Sequence, residues 1–168
     1  TERTPYAVVT NFVPSLSRSV VGPMTREEFS RAVDAFVPSS NYMYALRVTG
    51  RFAWASARTV TKQDRPYRPM VEATDGEEIA RREDFSGTIA GFRTPLYESG
   101  ISVAGCHAHI INDDRTWGGH LVDFVLEEGE AELCLGTDFR MRLPLTEEFR
   151  TVDLSEDKTE EIRRVEHH

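Results

Sequence analysis

Cysteine is scarce. The 168-residue chain holds two, Cys106 and Cys134, too few for a disulfide framework. Two reduced, partly buried thiols are the plainer expectation, and one bridge between them the alternative. Long apolar runs are missing as well. None approaches the roughly 20 residues of a bilayer-spanning helix, and Thr1-Glu2-Arg3-Thr4-Pro5 lacks the apolar core of a signal sequence. Positive charge is in deficit, with 28 acidic residues against 20 Lys and Arg and a net charge of −8. A nucleic-acid partner, which needs a concentrated basic surface, is therefore not expected. There is no Gly-rich nucleotide loop, no repeat and no low-complexity tract. The chain starts without Met and ends in His167-His168, which reads as a tag remnant and is kept out of any metal argument.

What is present suffices for a packed core: 39% of residues are hydrophobic and 29% charged. No linker divides the chain, so one domain over 1–168 is expected. Tyr6–Val13 is apolar and β-branched and predicts a strand. Thr25 with Glu28 three residues later forms a capping box. Phe29, Ala32, Val33 and Phe36 then lay one apolar stripe on a helix that should end before Pro38. Tyr42–Val48 and Arg51–Val60 flank Thr49-Gly50 and predict a hairpin. Alternation along the second arm puts Phe52, Trp54, Ser56 and Arg58 on one face. Residues 61–69 read as a proline-bearing loop and Glu77–Glu83 as a short helix. Gly87–Phe92, Ser102–Ile111, Gly119–Glu127, Ala131–Leu135 and Phe139–Leu143 read as strands. Short helices follow near Thr146 and over Thr159–Glu166. Many short strands and few helices predict an α+β, mainly β fold with barrel-like or sandwich sheets.

The segment richest in chemistry is Gly105-Cys106-His107-Ala108-His109, with His120 beyond ten intervening residues. On a strand, residues two apart share a face, so His107 and His109 project together, as two ligands of one ion require. The turn-forming stretch Asn112–Gly119 can fold the chain back and bring His120 to the same ion. Three neutral imidazoles leave coordination positions open, the pattern of catalytic rather than structural zinc. Cys106 is out of phase and should face away. The plainer alternative is a set of ordinary polar residues on a half-exposed sheet. Asp113-Asp114-Arg115 reads as turn formers with a salt bridge, or as a group that orients a ligand imidazole.

Several blocks, taken together and in order, resemble the α-acetolactate decarboxylase family. They are Tyr6-Ala7-Val8-Val9-Thr10, Pro23-Met24-Thr25-Arg26-Glu27-Glu28-Phe29, and Lys62-Gln63 with Pro66-Tyr67. Gly87-Thr88 with Gly91-Phe92-Arg93, Gly105-x-His107-x-His109, Asp113-Asp114-Arg115 and Gly118-Gly119-His120 follow. The resemblance implies Zn2+ held by His107, His109 and His120, with Arg58 and a C-terminal glutamate, best matched by Glu166, in the active site. It also implies mixed or antiparallel sheets with a β-barrel-like metal-binding part, and a homodimer. Scarce cysteines fit a reducing compartment, so the cytoplasm is expected, with secretion, known for some family members, as the alternative. Family members carry a further N-terminal segment with another active-site glutamate, and nothing in residues 1–20 resembles it.

The reaction so implied turns 2-acetolactate into acetoin and CO2 through a metal-stabilised enediolate. Arg58 would hold the substrate carboxylate without locking its charge in place. Glu166, protonated, would return a proton to carbon, which requires a raised pKa. Two alternatives stand beside this. One is another three-histidine metalloenzyme, a cupin-type isomerase or zinc hydrolase, with Glu127 or Asp123 as general base. The other is an inactive metal-binding remnant.

Overall fold

The computed structural model describes residues 7–59, 62–64, 66–74 and 77–166. The strand expected over Tyr6–Val13 does not form. Residues 7–14 are irregular and mostly exposed, with Tyr6 outside the described residues. The first strand is instead β1 (Leu16–Thr25). Its ladder opens at Ser15, whose N–H donates to the Leu133 carbonyl at 2.8 Å. Pro14 stands just before and has no N–H to extend it. A β-prone sequence without a partner strand stays irregular.

Helix α1 (Arg26–Phe36) forms as its capping box predicts. The Thr25 hydroxyl accepts from the Glu28 N–H, and the Glu28 carboxylate accepts from the Thr25 N–H at 2.9 Å. It buries Phe29 and Val33, and ends at Val37, one residue before Pro38.

The expected hairpin at Thr49-Gly50 is absent. β2 (Met43–Arg58) runs straight through it. Gly50 lies opposite Gly87 on one neighbouring strand and Gly129 on the other. A Cβ there would collide with the Glu128 carbonyl, so the glycine permits close strand approach rather than a turn. Irregular pairing around Ala53 also changes the phase of β2. Phe52 faces Leu126 while Trp54 faces Val125. Phe52 therefore joins Ala55 and Ala57 in the core, and does not share a face with Arg58 as simple alternation predicted.

The loop expectation for residues 61–69 holds over the described residues and leads into α2 (Met70–Thr74). The helix expected at Glu77–Glu83 is replaced by the start of β3 (Ile79–Thr94), which also absorbs the Gly87–Phe92 strand. Residues 79–83 pair with β2. That tertiary pairing overrides the weak helical preference of the Arg-Arg-Glu run. A short 3-10 turn at Leu96–Glu98 precedes β4 (Gly105–Asn112) and β5 (Gly118–Gly136). β5 merges two predicted strands, whereas Phe139–Leu143 is irregular and exposed. Helices α3 (Glu147–Thr151) and α4 (Thr159–Glu166) lie where the sequence put them.

The sheet order is β1-β5-β2-β3-β4, antiparallel throughout, and β4 also pairs with β5. That last pairing bends β5-β2-β3-β4 into a partial ring, so the barrel-like expectation holds only in part, and of the mixed and antiparallel alternatives the sheet takes the antiparallel one. α1 packs on one face over Phe124, ring centroids 5.7 Å apart. Phe52, fully buried, stacks on Phe85 at 5.3 Å and meets Phe124 edge-on at 6.0 Å. Burying such a ring contributes about 1.5–3 kcal/mol. Among the described residues no helix is long and apolar enough to cross a membrane.

Candidate metal centre

The face of the sheet turned away from α1 carries the histidines. His107 and His109 alternate along β4 with Cys106, Ala108 and Ile110. Ala108 and Ile110 are core residues. Cys106 lines the cavity beneath α1 with Phe29 and Ala108, as its phase predicted. Cys106 is exposed and Cys134 half-buried, so the expectation of partly buried thiols holds for Cys134 alone; desolvation nonetheless pushes the Cys106 thiol up. Both cysteines are free.

His120 enters from β5 at the point where that strand is paired on both sides. It lies opposite His109 on β4 and opposite Arg58 on β2. Directly paired residues share a face, so the ladder itself delivers His109, His120 and Arg58 to one place. Two glycines allow the crowding. A Cβ on Gly118 would lie 2.5 Å from the Ile110 carbonyl oxygen, and one on Gly119 would lie 2.6 Å from that of Arg58.

The β4–β5 turn fixes this register. Its organiser is Asn112, 2% exposed. Its Oδ1 accepts from the N–H groups of Thr116 and Trp117 at 3.0 and 2.8 Å, and its Nδ2 donates to the Thr116 hydroxyl at 3.1 Å. Asp113, Asp114 and Arg115 are exposed turn residues. No hydrogen bond or ion pair joins their side chains to the histidines among the described residues, so the turn reading of that tract stands without its salt bridge.

The three imidazoles converge. Ring centroids are 5.3 Å apart for His107–His109, 4.9 Å for His107–His120 and 5.5 Å for His109–His120. One nitrogen from each lies within 4.8 Å of the others. Nitrogens bound to one tetrahedral zinc at about 2.0–2.1 Å are roughly 3.3 Å apart. Small side-chain rotations close that gap, so the donor set fits a borderline-soft divalent ion with positions left open.

Arg58, its side chain 12% exposed, stands beside this trio. Its guanidinium lies 3.5 Å from the carboxylate of Glu77, itself 7% exposed. Sequence reasoning missed Glu77 because it assigned that residue to a helix. The signal was its position two residues before Ile79, the partner of Arg58 on β3. Glu166 ends α4, which packs against α2; its carboxyl lies outside the described residues. Of the bases considered for other chemistry, Asp123 accepts from the Phe124 N–H at 2.8 Å. Glu127 pairs with Arg51 and lies seven positions from His120, about 23 Å along an extended strand.

A sequence model of the alpha-acetolactate decarboxylase family matches residues 1–156. The alpha-acetolactate decarboxylase of Bacillus subtilis (strain 168) is 39% identical over 153 residues, covering 91% of this chain and 60% of the relative. That of Methanosarcina mazei is 35% identical over 163 residues, 97% of this chain and 57% of the relative. This chain thus spans about 60% of the length of the B. subtilis relative it matches. The crystal structure of the B. subtilis strain 168 enzyme superposes with a TM-score of 0.88 at 37% identity, over 92% of this chain and 67% of that one. By the extent and agreement of these matches, the chain belongs to the alpha-acetolactate decarboxylase family.

Proposed function

We propose that the protein decarboxylates 2-acetolactate to acetoin and CO2 through an enediolate, with zinc bound by His107, His109 and His120. The observation that carries the proposal is the convergence of three imidazoles beside a poorly exposed arginine. Bound there, zinc supplies a Lewis acid for oxygen charge that develops as the C–C bond breaks. The chain's own residues do the rest.

Arg58 receives the substrate carboxylate. Its guanidinium offers paired N–H donors and holds the anion on the side of the β2–β5 ladder that carries His120. Its low exposure leaves little water to compete for that contact. As CO2 departs, its former bonding pair moves onto the α-carbon and the adjacent carbonyl. A proton must then return to carbon. Glu166 is assigned this step, and its place on α4, packed against the α2 segment that precedes Glu77, supports the assignment. A carboxylic acid that stays protonated near pH 7 needs a poorly solvated site.

Incubation of the zinc-loaded protein with 2-acetolactate tests the proposal. Acetoin and CO2 are expected in equal amounts, with loss of both activity and zinc in His107→Ala. A zinc-loaded, folded protein that yields neither product would overturn it.

A further inference from the structure

Glu77 poses a question that the decarboxylase reading does not answer. It sits just ahead of β3, 7% exposed, with one oxygen 3.5 Å from Arg58 Nη1. Its other oxygen, Oε1, is buried and has no hydrogen-bond partner among the described residues. A buried carboxylate with half its acceptors unused is costly to stability. The placement is also directional. β2 presents Arg58 between two neighbours, with His120 on the β5 side and Glu77 on the β3 side. Glu77 therefore meets the guanidinium from the β3 side, across β2 from His120.

We propose that Glu77 is a positioning residue that both aims Arg58 and weakens its grip on the substrate carboxylate. The inference rests on the decarboxylase reading for its chemical meaning. Decarboxylation begins from a localised carboxylate charge and ends with that charge moved away from the departing CO2. An unopposed guanidinium in a poorly solvated site stabilises the starting state more than the transition state, which deepens binding and slows reaction. A carboxylate behind the guanidinium makes the pair close to neutral. The substrate is then oriented by two hydrogen bonds with much of the net attraction removed. Bond breaking loses less on the way up.

The effect has a sign that a merely structural role lacks. Glu77→Gln keeps the shape and removes the charge. It should tighten binding of a carboxylate and slow its loss, each by about ten-fold. Calorimetric titration of zinc-loaded protein with lactate, an unreactive α-hydroxy carboxylate, reads the first effect without any turnover. Steady-state kinetics with 2-acetolactate reads the second, as KM and kcat falling together. Glu77→Asp keeps the charge but draws it back from Arg58, and should show a smaller shift in the same directions. Zinc content should match the parent in both variants.

Lactate binding that is unchanged or weaker in a folded, zinc-replete Glu77→Gln protein would overturn the inference. Should Glu77→Gln not fold, Glu77→Asp decides alone: unchanged or weakened lactate affinity rejects the inference, and a modest tightening supports it. Tighter lactate binding in the variants, alongside a parent that makes no acetoin, would keep the charge-moderating role and discard the decarboxylase reading.

Discussion

Replacing Gly119 with alanine perturbs the site through the backbone alone. The new Cβ would lie 2.6 Å from the Arg58 carbonyl oxygen and 3.0 Å from the Thr59 hydroxyl, where ordinary contact begins near 3.4 Å. The first obstacle is main chain, so β5 must retreat from β2 by about 0.8 Å at the pair that aligns His120 with Arg58. Overpacking of this kind costs about 1–3 kcal/mol, which for a domain of this size lowers Tm by roughly 2–12 °C. Activity should suffer more than stability, since a displacement near 1 Å at a reacting centre can cost about 100-fold. The control is Gly100→Ala. Its Cβ meets nothing within 4 Å, and its stability should stay within about 0.5 kcal/mol of the parent. Thermal unfolding followed by circular dichroism, with zinc competition against a chromogenic chelator, reads both effects. If Gly119→Ala matched Gly100→Ala in Tm, zinc affinity and rate, the reasoning from strand approach would be wrong.

Asn112→Ala removes the side chain that ties the β4–β5 turn; urea unfolding should show a loss of about 2–3 kcal/mol, with weakened zinc binding. Phe52→Ala empties the stacked aromatic centre and should cost about 3–5 kcal/mol in the same assay while leaving His107, His109 and His120 in place. The Glu28 carboxyl is held below its ordinary value of 4.5, chiefly by the Thr25 N–H and then by the Thr25 hydroxyl. Its contribution is therefore present at neutral pH and lost as the pH falls from 4.5 through its lower folded value. The stability gap between parent and Glu28→Ala should accordingly close in acid. Removing zinc with a chelator should lower Tm, and restoring free zinc to 100 times its dissociation constant should return about 2.7 kcal/mol.

Local signals were legible where the chemistry is local. The capping box at Thr25 and Glu28 placed α1, and period-two spacing placed His107 and His109 on the face opposite Cys106. Signals that depend on distant partners were not. Thr49-Gly50 looked like a turn because the need for a glycine there comes from Glu128 and Gly129, far away in the chain. Tyr6–Val13 had strand character but no ladder to join. The phase change at Ala53 cannot be seen without β5, so Phe52 was assigned to the wrong face. At the site, the histidines could be read from spacing and Arg58 from resemblance. Glu77 required knowing that β3 starts two residues after it.

The zinc K-edge absorption spectrum of the protein tests the convergence of the imidazoles most directly. The account predicts one zinc per chain, bound by three nitrogens at about 2.0–2.1 Å, with oxygen completing the shell. A shell containing sulfur at about 2.3 Å, or zinc whose spectrum is unchanged when His107, His109 and His120 are replaced by alanine, would contradict it.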